Sequence, residues 1–121
     1  MSEDLENIPL EEYPVQEVEG KFRLLGAKTL YRFKNQTNTD GRWLAVCLCE
    51  STFMRQGQPA TSKSIRIYRW QWRQSTKWDP QQNKRIPTGY YRWFNEQQTT
   101  LNRRDFWEKI KEMVDEYIEE L

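Results

Sequence analysis

Residues 64–73 read Ser64-Ile65-Arg66-Ile67-Tyr68-Arg69-Trp70-Gln71-Trp72-Arg73. The alternation has a period of two, which predicts an extended strand. One face carries Arg66, Tyr68, Trp70 and Trp72; the other carries Ile65, Ile67, Arg69, Gln71 and Arg73. A half-buried strand is ordinarily apolar on one side and polar on the other. Here rings and guanidinium groups are interleaved along one segment. Aromatic faces stack on unpaired bases and arginines pair with phosphates, so the segment has the chemistry of a surface for single-stranded nucleic acid. The same rings also suit a core or a subunit interface, because tryptophan in strands is more often buried.

Downstream, Gln74 to Asn83 reads as a long connection containing Asp79-Pro80, and Lys84 to Phe94 returns as a second strand. That strand places Tyr90, Arg92 and Phe94 on one side and Tyr91 and Trp93 on the other. The two aromatic strands form a predicted hairpin. Its candidate stacking residues are Tyr68, Trp70, Trp72, Tyr91 and Trp93. Its candidate phosphate contacts are Arg66, Arg69, Arg73, Lys84, Arg85 and Arg92.

Upstream, Thr52 to Ser62 reads as a polar loop around Gly57 and Pro59. Arg42 to Glu50 is the most apolar strand, with Leu44, Val46 and Leu48 on one face and Trp43, Ala45, Cys47 and Cys49 on the other. Apolar residues on both sides predict a central strand covered on both faces, by the C-terminal helix or by another subunit. Asn35 to Gly41 is polar and ends in Asp40-Gly41, a turn signal. Thr29 to Lys34 and Lys21 to Leu25 are further strand candidates, with Gly26 marking a turn or bulge between them. Met1 to Glu19 reads as a leader broken by Pro9 and Pro14, whose apolar residues Leu5, Ile8, Leu10, Tyr13 and Val15 are able to dock on the body.

At the other end, Asn102 is placed as an N-cap, with Asp105 three residues on and Leu101 and Phe106 set as a hydrophobic staple. Phe106, Trp107, Ile110, Met113, Val114, Tyr117, Ile118 and Leu121 recur at helical spacing, which predicts an amphipathic helix of about five turns. Its stripe needs a sheet face or a partner helix, including one across a two-fold axis.

The 121 residues fit one domain, read as a leader over 1–19 and a sheet-plus-helix unit over 20–121. Hydrophobic content is 36% and mean hydropathy −1.03, so aliphatic core is scarce. The 14% of aromatic residues offsets this, since each ring buries a large area. The net charge of +1 hides an asymmetry. The leader holds seven acidic residues and no Lys or Arg, whereas residues 63–92 hold eight basic residues against Asp79 alone. A basic middle selects an anionic partner, and an acidic leader is able to compete for the same surface.

Catalysis finds little support. The chain has no histidine, the basic region offers one carboxylate, and no Gly-rich phosphate loop occurs. No enzyme activity, metal or cofactor is expected. Cys47 and Cys49 lie two apart in an apolar strand, which favours buried thiols over a disulfide or a metal site. No apolar run has membrane-spanning length, and the acidic N-terminus lacks the features of a signal peptide, so the expected compartment is the cytosol.

The strand order followed by a long C-terminal helix resembles the single-stranded DNA-binding transcriptional regulator fold, the group of the coactivator positive cofactor four and the plant Whirly proteins. The most specific segment is Gln98-Thr99-Thr100-Leu101-Asn102-Arg103-Arg104-Asp105-Phe106-Trp107, which looks like the coactivator's junction between last strand and helix. The chain is also similar to a small cyanobacterial family assigned to that fold. The resemblance implies an α+β domain: a curved antiparallel sheet of four to five strands, then one long amphipathic helix. It also implies a homodimer built with that helix, and single-stranded nucleic acid lying across the sheet. The lysine-glycine-lysine strand motif of the Whirly proteins is absent, so its residues are not carried over. The expected function is single-stranded DNA or RNA binding, with a role in transcription. The rival expectation is a dimeric assembly module that binds protein through its aromatic surface, distinguished by tolerance to salt.

Overall fold

A computed structural model describes residues 7–121. After a 3-10 turn at Leu10–Glu12, four long strands follow: β1 (Phe22–Lys34), β2 (Gly41–Arg55), β3 (Gln58–Asp79) and β4 (Lys84–Leu101). One helix, α1 (Arg104–Ile118), closes the chain. The strands form a single antiparallel sheet in the order β1-β2-β3-β4, an α+β layout in which each strand pairs with its sequence neighbour. The strand count is four. Residues 21–25 and 29–34 are one strand, because two bulges, between Leu24 and Gly26 and between Thr29 and Tyr31, absorb the breaks in alternation. A bulge inserts one residue, bends the strand and reverses which face the following side chains occupy.

The expected loop at Thr52 to Ser62 is instead a tight hairpin. The β2–β3 ladder runs without a register shift to Arg55 and Gln58, and Gln56 and Gly57 make the turn at φ +52 and +77. Two successive left-handed residues match the right-handed twist of the flanking strands. The expected connection at Gln74 to Asn83 is likewise mostly strand, and the turn is confined to residues 80–83. Asp79 organises that turn: its carboxylate accepts from the Gln81 amide at 2.9 Å and from Gln82 Nε2 at 2.9 Å. Between β1 and β2, the Asn35 side chain accepts from the Thr39 and Asp40 amides and shapes the turn. Gly41 is required there by close approach, since a Cβ would lie 2.5 Å from the Phe33 carbonyl oxygen.

The core lies on one face of the sheet. Leu24 of β1, Trp43, Ala45, Cys47 and Cys49 of β2, and Tyr68 and Trp70 of β3 are buried, and Tyr13 from the leader lies over them. Ile8 and Val15 pack beside Tyr13, while Leu10 stays exposed and Leu5 lies outside the described residues. Both cysteines are free thiols. Burial pushes the Cys47 thiol up to about 12, with the neighbouring Cys49 adding to the rise. The Cys49 thiol is raised by burial as well.

The other face is open. Val46 and Leu48 point out of it and are exposed, so β2 is central but is covered on one side only among the described residues. α1 does not cover that second face. It starts one residue later than expected, with Arg103 at the N-cap and no side-chain cap. The Asp105 carboxylate instead takes two hydrogen bonds from Arg103, at 3.0 and 2.6 Å, and these hold its pKa below the usual carboxylate value. The helix has about four turns and buries no residue. Its anchor is Trp107, whose Nε1 donates to the Leu101 carbonyl at 3.0 Å. Among the described residues, no helix is long and apolar enough to cross a membrane.

Candidate functional site

The register divides the sequence-derived site between two faces. Trp43 pairs with Trp70, Ala45 with Tyr68 and Cys47 with Arg66, while Trp72 pairs with Trp93 and Gln74 with Tyr91. Arg66, Tyr68, Trp70, Trp72, Tyr91 and Trp93 therefore share the core-bearing face. Arg69, Arg73 and Arg92 lie on the open face. Lys84 and Arg85 sit at the far end of the β3–β4 hairpin, where Arg85 is tied down by Thr76: its Nε donates to Thr76 Oγ1 and its Nη2 to the Thr76 carbonyl, each at 2.8 Å.

The core-bearing face carries a continuous series of rings. Tyr68 and Trp70 stack at 5.1 Å and 9°. Trp70 meets Trp43 at 5.1 Å, Trp43 meets Trp93 at 5.4 Å, and Trp93 meets Trp72 at 5.3 Å. Tyr91 stacks on Trp72 at 6.3 Å and 20°. Trp70 is 0% exposed and Tyr68 4%, so neither ring offers a free face, whereas Trp72, Tyr91 and Trp93 are partly exposed. Trp72 is fixed by its indole N–H, which donates to the Asn38 carbonyl at 3.1 Å.

Cations line these rings. Lys34 Nζ lies 3.7 Å from the centroid of Trp72, the Arg32 guanidinium 4.6 Å from Trp43, and the Arg66 guanidinium 4.5 Å from Phe22. Arg66 also donates to the Tyr68 hydroxyl at 3.1 Å. Burial raises the Tyr68 pKa, and the Arg66 hydrogen bond opposes that rise. Cation–π contacts of this kind contribute about 0.5–2 kcal/mol and hold the positive groups over the rings.

Trp43, Arg32 and Lys34 belong to this face and were missed as site residues. The signal for Trp43 was present in its alternation with Ala45, Cys47 and Cys49. The signal for Arg32 and Lys34 was hidden by the second bulge of β1. Strict alternation separates Thr29 from Arg32 and Lys34, but the bulge brings all three to one face. The Trp43 indole N–H donates to Thr29 Oγ1 at 2.9 Å, beside Arg32.

The open face is arranged differently. Arg73 and Arg92 each hold a guanidinium 4.4 Å from Phe94. Glu96 reaches Arg69 Nε at 3.2 Å and Arg42 Nε at 3.9 Å. Arg42 also donates to Asp40 at 2.7 Å, and that hydrogen bond lowers the Asp40 pKa. The arginines of this face are thus engaged with a ring or with carboxylates. Among the described residues, no group of three or more Cys, Asp or Glu side chains is placed to hold a metal ion. Comparison with protein-family models, curated proteins and solved structures finds no match for this chain.

Proposed function

We propose that this chain is a non-catalytic, cytosolic protein that binds single-stranded nucleic acid on the tryptophan-bearing face of its sheet. The observation that carries this reading is the partly exposed ring group Trp72, Trp93 and Tyr91 with Lys34 held over Trp72. Bases stack on such rings at about 1–3 kcal/mol each without regard to sequence, and a cationic rim follows the backbone. Arg66 and Arg32 extend the cationic rim along the same face. The test is fluorescence anisotropy with labelled single-stranded and duplex oligonucleotides across a salt series. Binding that favours the single strand and weakens steeply with salt supports the reading. Absence of binding at low salt removes it.

A second reading rests on a separate observation. Phe106, Met113, Val114, Tyr117 and Ile118 form an exposed apolar stripe on α1, and Val46 and Leu48 are exposed on the open sheet face. Contiguous apolar surface of this kind marks association. We infer a homodimer built with the helix, compatible with nucleic-acid binding on the sheet or with assembly as the whole function. If assembly is the whole function, partner binding tolerates salt, as apolar interfaces do.

A further inference from the structure

Among the described residues, Tyr13 is the one buried residue outside the four strands. Its ring centroid lies 5.0 Å from Trp43, at an interplanar angle of 36°, and 6.3 Å from Trp70. Its hydroxyl shares a hydrogen bond with Thr29 Oγ1 at 2.8 Å. A planar ring from outside the sheet thus already sits on the tryptophan face, next to the partly exposed rings.

The segment that delivers this ring is held to the sheet by side chains: Tyr13 is buried, and Ile8 and Val15 pack beside it. The backbone hydrogen bonds of residues 9–15 stay within the segment. Its polar ties to the sheet run through side chains. Glu12 pairs with Arg32 at 3.1 Å, and Glu17 accepts from the Leu24 amide at 3.3 Å. The Glu12 carboxylate is half exposed, so water and salt weaken that pair. Trp70, whose ring meets that of Tyr13, has a buried Nε1 with no acceptor. A buried donor left unmatched destabilises the arrangement that creates it. A nucleobase carries ring acceptors that a tyrosine ring lacks.

We propose that the seat of Tyr13 is a subsite for one nucleobase, and that residues 9–17 are its built-in competitor. Tyr13 stands where the base stacks, and Glu12 stands on Arg32 where the phosphate goes. The proposal rests on the single-strand reading above and adds to it a specific position and a gate. The affinity of the intact chain is then its intrinsic affinity multiplied by the fraction with the segment released. Weakening the segment raises affinity without adding any contact to the nucleic acid.

The experiment uses the full-length chain and a fluorescent oligothymidylate of about ten nucleotides, a length within the usual range for one sheet-type site. Tyr13→Ala is expected to bind at least about tenfold tighter than the wild type, equivalent to about 1.4 kcal/mol. Glu12→Gln keeps the ring and is expected to gain about two- to threefold, most clearly at low salt. In the wild type, saturating oligonucleotide is expected to speed cleavage of the leader by a Glu-specific protease. Equal, measurable affinity in all three proteins overturns the subsite and leaves the single-strand reading standing. No binding by any of them at low salt overturns both. If Tyr13→Ala fails to fold by circular dichroism, Glu12→Gln and the cleavage rates decide. Unchanged affinity in Glu12→Gln together with unchanged leader cleavage overturns the subsite.

Discussion

The three tryptophans of β3 form an internal scale for what the sheet requires of its rings. Trp70 is 0% exposed, between Trp43 and Tyr68 and beneath Tyr13, whereas Trp78 on the projecting hairpin is 53% exposed. Full burial of an indole removes roughly 200 Å² from water, about 5 kcal/mol at 25 cal/mol per Å². Measured Trp→Ala costs in cores are about 3–5 kcal/mol. Trp70→Ala also removes an indole N–H that has no acceptor, which returns about 1–3 kcal/mol. The expected net loss is therefore about 3 kcal/mol. At roughly 3–5 °C per kcal/mol for a chain of this size, the melting temperature falls by about 9–15 °C. Trp70→Phe keeps a stacking ring and removes the unmatched donor, so its loss is expected to be under about 1.5 kcal/mol. Trp78→Ala costs about 1 kcal/mol or less. Urea titration followed by circular dichroism measures all three, and a constant slope with denaturant verifies the comparison. The reasoning is refuted if Trp70→Ala melts within about 3 °C of Trp78→Ala, or if Trp70→Phe is as damaging as Trp70→Ala.

Other outcomes follow from single features. Trp72→Ala is expected to lower oligonucleotide affinity by about tenfold, through loss of one stacking ring and the site of Lys34, as read by anisotropy. The buried thiols are expected to resist an aqueous thiol reagent at pH 8 and both to react once the chain is unfolded. Because the Cys47 pKa is raised by folding from 9.0 to about 12, its contribution to stability is intact below about pH 9 and is lost as pH rises toward 12. The wild-type melting temperature should accordingly fall over that window more steeply than that of Cys47→Ala. At the turns, Gly57→Ala is expected to cost about 1 kcal/mol for its left-handed φ, and Gly41→Ala more, because its Cβ meets backbone rather than a movable side chain. Chemical denaturation ranks the two. On the homodimer reading, the wild type is expected to be a dimer by light scattering, and Val114→Asp on the exposed stripe of α1 to be a monomer with the sheet's melting unchanged.

Period-two patterns in the sequence marked β2, β3, β4 and the second half of β1, and helical spacing marked α1; the antiparallel sheet was an expectation from the resemblance of that order. The lengths were not legible. Residues 52–62 and 74–79 are mostly polar, with Phe53, Met54 and Trp78 exposed, and such stretches read as loop, but backbone pairing extends the ladders where no core demands it. The first bulge of β1 was announced by Gly26, but the second was hidden: a bulge reverses alternation, and nothing in Leu30 announces one. The helix start was displaced because Asp105 turned to Arg103 rather than back to an amide. Of the site, the identity of the rings was readable, but which were accessible was not. Trp70 and Trp72 are equivalent by spacing, and they differ because Tyr13, 57 positions before Trp70, covers one of them.

The uneven ladders also bear on time. β2 and β3 pair from Gly41 to Arg55 without one shift, whereas each flanking ladder carries two irregularities. A hairpin closed by a two-residue turn zips in about 1–10 μs, long before distant segments meet. Folding is therefore expected to begin at Gln56-Gly57, with β1 and β4 added to an already formed ribbon. Mutations in that turn should slow folding, while those at Tyr13 should mainly speed unfolding. The last part to lock into place is then the segment that closes the tryptophan face, and it is the first to leave.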